Sequence, residues 1–287
     1  MSKICFLIAA HKNHDQLMRL INHLKKDFDI YVHIDKKSKL DIKSFDNVKV
    51  YKKYKIYHAE FSQVIGTLFL LNESSKNNYD RYIFISAQDI PLKTNKEIID
   101  FFSKEENNDK EFINYREVIK NDTFYEVSKD RLCYYYPHFC IINYYHKLFH
   151  YKIRNILLKI WPKRKMIENL YNGSSWWNLS DNAVKYILEY VEKNTNYIKR
   201  FNYTWCSDEY FFQSILLNSK FASNCKDEYL RYVDWSWKYG ANPVTFKLED
   251  YDDIKSKCGN SLFARKFDEN IDNDIIDKLY KDLENSN

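Results

Sequence analysis

An α/β fold, a largely parallel sheet flanked by helices, is what this sequence of 287 residues predicts. Two observations carry the prediction. Apolar runs of strand length recur along the N-terminal third with helically spaced apolar residues between them. Polar residues of turn-forming and capping type stand where each run stops.

Residues 3 to 10 form the first run, continuous enough to be buried on both faces of a parallel sheet. Asn13 and Asp15 offer caps for a helix carrying Leu17, Leu20, Ile21 and Leu24 at helical spacing. Strands follow over Ile30 to Ile34, around Val48 to Tyr51, and over Tyr82 to Ser86, with a helix over Ser62 to Asn72. Thr94 and Asn95 cap the next helix. Alternation of this kind predicts βαβ units with right-handed crossovers. Ligands in such sheets bind beyond the carboxyl ends of the strands, where His11, Asp35 and Asp89 all stand. Each alone is an ordinary loop residue; together they predict a nucleotide pocket.

The C-terminal part is less regular. Phe112 to Tyr115 reads as a strand, Ser180 and Asp181 cap a helix over Ala183 to Val191, and Gly173 opens a turn into Trp176 and Trp177. That tryptophan pair suits stacking on a sugar ring and equally suits a core. The stretch 134–166 interleaves aromatics with cations. It fits an interfacial element on an anionic membrane, a groove for an acceptor or nucleic acid, or a solvated helix with snorkelling cations. No repeat, low-complexity linker or sharp domain boundary breaks the chain.

Totals narrow the function. Only 4 glycines are present, and Gly66, Gly173, Gly240 and Gly259 are too far apart to build a G-x-G-x-x-G or Walker loop. Any phosphate must therefore be held by side-chain cations or helix N-termini. The net charge of +5 suits a phosphate-bearing ligand or an anionic surface without by itself implying nucleic acid. Six cysteines show no C-x-x-C spacing, Ile4 to Ala10 is too short for a leader, and no run reaches transmembrane length. A cytoplasmic chain with reduced thiols is expected.

The chemistry concentrates in Trp205-Cys206-Ser207-Asp208-Glu209-Tyr210-Phe211-Phe212, two carboxylates within an aromatic run that continues as a helix. Either both acids cap that helix, or one of the pair caps while the other, walled by rings, serves as a general base. The strand ending at Ser86 is followed by Gln88-Asp89, a single acid and so a poor ligand set for a hard cation. The Asp-x-Asp pairs at Asp27–Asp29 and Asp272–Asp274 are misplaced for that role.

Seven blocks in register resemble the core-2/I-branching β-1,6-N-acetylglucosaminyltransferase family, which includes the peptide O-xylosyltransferases. They are Ile8 to Asn13, His33 to Lys37, Ser86 to Lys93, Gly173 to Trp177, Ser207 to Phe211, Arg231 to Trp235 and Phe263 to Asp268. The resemblance implies a GT-A-type, Rossmann-like mixed sheet flanked by helices. It implies one catalytic domain over 1–287, with 1–105 as the nucleotide-sugar half and 106–287 as the acceptor-binding and catalytic half. It further implies inverting, metal-independent transfer from a UDP-sugar to a glycan or lipid-linked glycan hydroxyl. UDP-N-acetylglucosamine is the first expectation, with UDP-xylose, UDP-glucose and UDP-galactose open. No cofactor is implied.

By the same resemblance Glu209 is the catalytic base and Lys266 the cation facing the donor diphosphate, while His11 and Asp35 lie near the nucleoside. His58 replaces a tryptophan of many relatives, and Arg265 takes the place of an upstream arginine that Ala241 to Leu248 lacks. Asp89 is expected with the donor; Glu117, Arg131, Trp176, Trp177 and Trp235 are expected with the acceptor. The setting expected is the bacterial cytoplasm, with peripheral contact to the inner face of an anionic membrane. The competing readings are a nucleic-acid-binding protein using 134–166 and a catalytically dead scaffold.

Overall fold

The computed structural model of the chain describes residues 3–136, 156, 160, 161 and 163–286, so most of the basic aromatic stretch 134–166 lies outside the described residues. The central sheet has seven strands. Four come from the N-terminal third: β1 (Ile4–Ala10), β2 (Asp29–Ile34), β3 (Val48–Tyr51) and β4 (Arg81–Ser86). They pair in parallel in the order β4-β1-β2-β3. The sheet is completed by β6 (Glu111–Ile113), β9 (Trp177–Ser180) and β10 (Cys225–Lys226), with β9 antiparallel to both β4 and β6. The helix-flanked mixed sheet predicted from the sequence is therefore the architecture observed, and its strands come from both halves of the chain.

Side-chain alternation sorts each strand between the two faces. From β1, Cys5 and Leu7 join one core while Ile4, Phe6, Ile8 and Ala10 join the other. From β4, Tyr82 and Phe84 go one way, Ile83 and Ile85 the other. The first face is covered by α2 (Ser62–Ser74) and the helices Asp181–Lys193 and Phe211–Leu217. The second is covered by α1 (His14–Leu24), whose Leu17, Leu20, Ile21 and Leu24 are fully buried, and by α3 (Asn95–Ser103). At the start of α3 the Thr94 side chain accepts from the Glu97 amide while Glu97 reaches back to the Thr94 amide. Asn13 was expected to do the same for α1. It stands at that position with φ 63° but turns its amide to Asp268 instead, at 2.7 Å.

A second sheet is not predicted by the sequence pattern. Here β5 (Asp89–Pro91), β11 (Arg231–Val233) and β12 (Phe263–Arg265) align in the order β11-β12-β5 over a third core containing Val244, Phe246, Ile254 and Phe267. Strands of three residues offer too little periodicity to be read from sequence. A two-stranded ribbon, β7 (Arg116–Glu117) with β8 (Tyr171–Asn172), flanks the main sheet and leads into Gly173.

Gly173 sits where two backbones meet. A Cβ there would lie 1.8 Å from the Asn114 carbonyl oxygen, and no rotamer relieves an overlap with backbone. Gly173→Ala is expected to lower unfolding stability by about 1–3 kcal/mol, read as a lower urea midpoint; an unchanged midpoint would contradict this packing.

Candidate active site

The turn Ser207–Glu209 is held from three directions by backbone hydrogen bonds. The Cys206 amide donates to the Ala59 carbonyl at 2.8 Å, and the Trp205 amide donates to the Arg131 carbonyl at 3.0 Å. The Glu209 carbonyl accepts from the Gly173 amide at 2.8 Å. Cys206 and Ala59 both adopt left-handed backbone, φ 53° and 60°, an unfavourable state for residues with a Cβ that these bonds hold in place. Loop 52–61, the helix Thr123–Cys133 and β8 thus converge on one short 3-10 turn.

The two acids of that turn have separate partners. Asp208 is buried, accepting from Ser175 Oγ at 2.5 Å and Gln63 Nε2 at 3.3 Å. It does not cap the following helix: Tyr210 occupies the cap position with no side-chain cap bond. The capping expectation is therefore corrected, because Ser175 and Gln63 offer the carboxylate donors from other elements. Burial pushes the Asp208 carboxyl above its ordinary range, with Ser175 and Arg131 opposing.

Glu209 pairs instead with Arg131, Nη1 to Oε2 at 2.5 Å, and the Asn172 amide reaches the same oxygen at 3.5 Å. Among the described residues Oε1 accepts nothing. The Glu209 side chain is 34% exposed, so it is not sealed from solvent. Burial raises the Glu209 carboxyl, Arg131 draws it back, Asp208 adds to the rise, and the net position is above ordinary glutamate. Arg131, desolvated but facing Glu209, holds its proton more tightly than usual. The arginine expected to meet an acceptor is thus the residue that orients Glu209.

Cations gather opposite this turn. Lys266 has no carboxylate within ion-pair distance among the described residues. Burial lowers its proton affinity, Arg265 and Lys12 lower it further, and Asp268 partly compensates. The neighbouring Lys12 ammonium is bound by Asp268. His58 lies in the fields of Glu209, Lys266 and Arg265; partial burial first, then the two cations, favour its neutral form. His11 responds likewise to burial, Lys12, Lys266 and Arg265, against Asp35. Burial alone would raise Asp35, but the Lys37 ammonium at 2.8 Å and the Lys37 and Ile56 amides hold it below the usual carboxylate range. His11 also lines a cleft of about 530 Å³ beyond β1 and β2, with Lys12, Ser38, Leu40 and Asn270. His11, Asp35, His58, Arg265, Lys266, Arg131 and Glu209 are therefore brought to one end of the sheet.

Other expected site residues are placed differently. Asp89 is fully buried at the start of β5, bound by the Ser86 amide at 3.0 Å, Arg265 Nη1 at 3.1 Å and Arg231 Nε at 3.4 Å. It cannot meet a donor directly, and that expectation is corrected. Trp177 is corrected too: its ring is fully buried against Phe84 and Phe212, at centroid distances of 5.2 and 5.7 Å. Trp176 lies beneath the Arg265 guanidinium, 4.6 Å from ring centroid to Cζ, so it braces a cation. Trp235 is 59% exposed. Glu117 is exposed on β7, opposite Tyr171 of the strand whose Asn172 touches Glu209. Sequence reasoning missed Gln63, Ser175, Asn172 and Arg231. Ser175 and Arg231 stood inside quoted blocks; Gln63 and Asn172 carried no signal beyond residue type. Among the described residues no three His, Cys, Asp or Glu side chains group in a way that could hold a metal ion.

The family model described as "Core-2/I-Branching enzyme" matches residues 4–258. Xylosyltransferase 2 of Rattus norvegicus is 24% identical over 306 residues, covering 96% of this chain and 33% of that protein. Xylosyltransferase 1 of the same organism is 25% identical over 308 residues, covering 96% and 35%. The chain spans about a third of the length of these curated relatives. Among solved structures, the apo form of the glycosyltransferase GlyE of Streptococcus pneumoniae TIGR4 aligns with a TM-score of 0.36 at 12% identity, covering 93% of this chain and 55% of that one. Mouse xyloside xylosyltransferase 1 aligns with a TM-score of 0.33 at 11% identity, covering 92% and 97%.

A carbon-13 NMR titration of the Glu209 carboxyl is expected to give a midpoint above that of an ordinary glutamate, moving higher still in Arg131→Met. A midpoint at or below the ordinary value would mean that Arg131, and not burial, dominates.

Proposed function

The chain belongs to the Core-2/I-Branching enzyme family, and from that premise we propose that it is a glycosyltransferase of GT-A type that transfers a sugar from a UDP-sugar to a glycan hydroxyl with inversion. The observation that carries this reading is Glu209: partly exposed, raised in pKa, oriented through one oxygen by Arg131, and facing cations across the same end of the sheet. The acceptor hydroxyl attacks the anomeric carbon as its proton passes to Glu209 Oε1. The bond from that carbon to the diphosphate breaks, and the departing charge is met by Lys266 and Arg265. Both are already in place before the charge develops, because Arg265 is fixed by Asp89 and Trp176. His11 and Asp35, at the ends of β1 and β2, are assigned to the nucleoside. Glu117 and Trp235 are assigned to the acceptor.

The reaction is proposed to run without a divalent metal. The acids near the diphosphate side are already engaged: Asp89 is enclosed by two guanidiniums, and Asp268 is bound by Lys12 and Asn13. Asp29 opens β2 while Asp35 follows its end, about 20 Å apart at strand rise, so the Asp27–Asp29 pair is at the wrong end of the sheet. The donor is proposed to be UDP-N-acetylglucosamine or UDP-xylose. The second is favoured by the relatives named as xylosyltransferases.

Assaying hydrolysis and transfer across UDP-N-acetylglucosamine, UDP-xylose, UDP-glucose and UDP-galactose identifies the donor. With that donor, Glu209→Gln is expected to lower transfer about 100- to 10,000-fold while donor affinity stays within about threefold by calorimetry, since no bond to the donor is lost. Near-normal turnover would remove Glu209 from the base role. Transfer is also expected to persist in excess chelator; activity lost with chelator and restored by manganese would overturn the metal-free reading.

A further inference from the structure

Residues 36–55 carry eight lysines against two aspartates, Asp41 and Asp46, a formal +6 within a chain whose total is +5. The rest of the molecule is thus close to neutral, and the cationic character of the protein belongs to this one stretch. All eight lysines are exposed. Among the described residues only Lys37 has a carboxylate within ion-pair distance, Asp35.

The fold gathers these charges onto one surface. After β2 the chain doubles back along the outer side of β3, the last strand of the sheet. The Lys36 amide donates to the Tyr54 carbonyl at 2.9 Å, the Lys52 ammonium to the Leu40 carbonyl at 2.7 Å, and the Val50 amide to Ser44 Oγ at 2.9 Å. Lysines before and after the reversal therefore lie side by side. Residues 38–41 are shared with the cleft that His11 lines, so the charged edge borders the mouth of the active site.

We propose that this edge docks the protein on an anionic lipid bilayer, held by headgroup charge and without insertion. The chemistry of the patch selects that partner. It contains no arginine, so it lacks the forked donors that grip individual phosphates in pairs. None of the large exposed apolar side chains falls between residues 36 and 55, and Phe45, Tyr51 and Tyr54 are half-buried, so little ring surface is offered to stack on nucleobases or to enter the hydrocarbon. A surface of point charges, recessed only where residues 38–41 border the cleft, matches a planar, laterally mobile array of negative headgroups, for which four to eight basic residues are typical. The edge of β3 is a region of membrane contact separate from the stretch 134–166, most of which lies outside the described residues. Within the described part of that stretch, Arg164 is already spent on the backbone carbonyls of Tyr134, Arg200 and Asn202. This inference concerns where the protein resides and does not depend on the sugar-transfer reading.

The test is sedimentation of the full chain with vesicles of phosphatidylcholine containing about a third phosphatidylserine, against phosphatidylcholine alone, at about 0.1 M salt, where charges are felt over about 10 Å. Binding is expected only to the anionic vesicles and is expected to vanish near 1 M salt. Each lysine near such a surface contributes about fivefold to partitioning. Lys43→Gln/Lys49→Gln/Lys55→Gln is therefore expected to bind about 100-fold more weakly. Lys96→Gln/Lys120→Gln/Lys226→Gln, with the same loss of charge elsewhere, is expected to bind like the parent. Equal binding to neutral vesicles, no binding to either kind, or equal loss in the two triple variants would each overturn the proposal. Tighter salt-sensitive binding to a single-stranded oligonucleotide than to the vesicles would reassign the edge to nucleic acid. Melting curves of both variants, expected to match the parent, separate loss of charge from loss of fold.

Discussion

The buried Asp89 carboxylate is the joint on which the arrangement of the molecule depends. It accepts from the Ser86 amide at the end of the central sheet and from Arg231 and Arg265 of the small one, so both sheets close on one group. Two guanidiniums against one carboxylate leave an excess positive charge in a dry place, which is costly unless hydrogen bonds absorb it. Arg231 gives its remaining donors to the Tyr229 and Phe84 carbonyls. Arg265 keeps 16% of its side chain exposed and rests on Trp176. The excess charge is thus displaced toward the cleft. Lys266, one residue further on, takes its position from the same joint.

The adjacent acids of the 3-10 turn illustrate how environment assigns roles to identical chemistry. Asp208 points inward to a hydroxyl and an amide, and Glu209 points outward to a guanidinium and open space. A turn pinned at Ala59, Arg131 and Gly173 cannot rotate to exchange them. Burial makes each harder to ionise, and only Glu209 combines that with access.

How much of this could be read from the sequence follows from the range of each interaction. The four parallel strands and α1 to α3 were legible within a residue or two, because alternation and helical spacing are local properties. Glu209, Lys266, His11 and Asp35 were legible as members of blocks and His58 as a departure from the relatives' pattern, and the fold brings them to one end of the sheet. Asp89 and Trp177 were misplaced. Nothing near Asp89 in sequence shows that Arg231, 142 positions later, will enclose it. Trp177 follows Trp176 directly, and a strand sends neighbours to opposite faces, but which of the two faces inward depends on the pairing of β9 with β4. Arg131 and Glu209 are 78 positions apart, so their pairing is likewise invisible without the fold.

The chain that doubles back along β3 has an effect unrelated to ligands. An open strand at the side of a sheet presents unpaired amides and carbonyls that a second molecule can extend into a growing fibril. Here the Phe45 amide and carbonyl bond to Val48, and the Lys36 and Val50 amides are taken by the same returning segment. The opposite side ends in β10, only two residues long. The central sheet of a protein this rich in tyrosine and phenylalanine is thereby left, among the described residues, with little open edge on which misassembly could be templated.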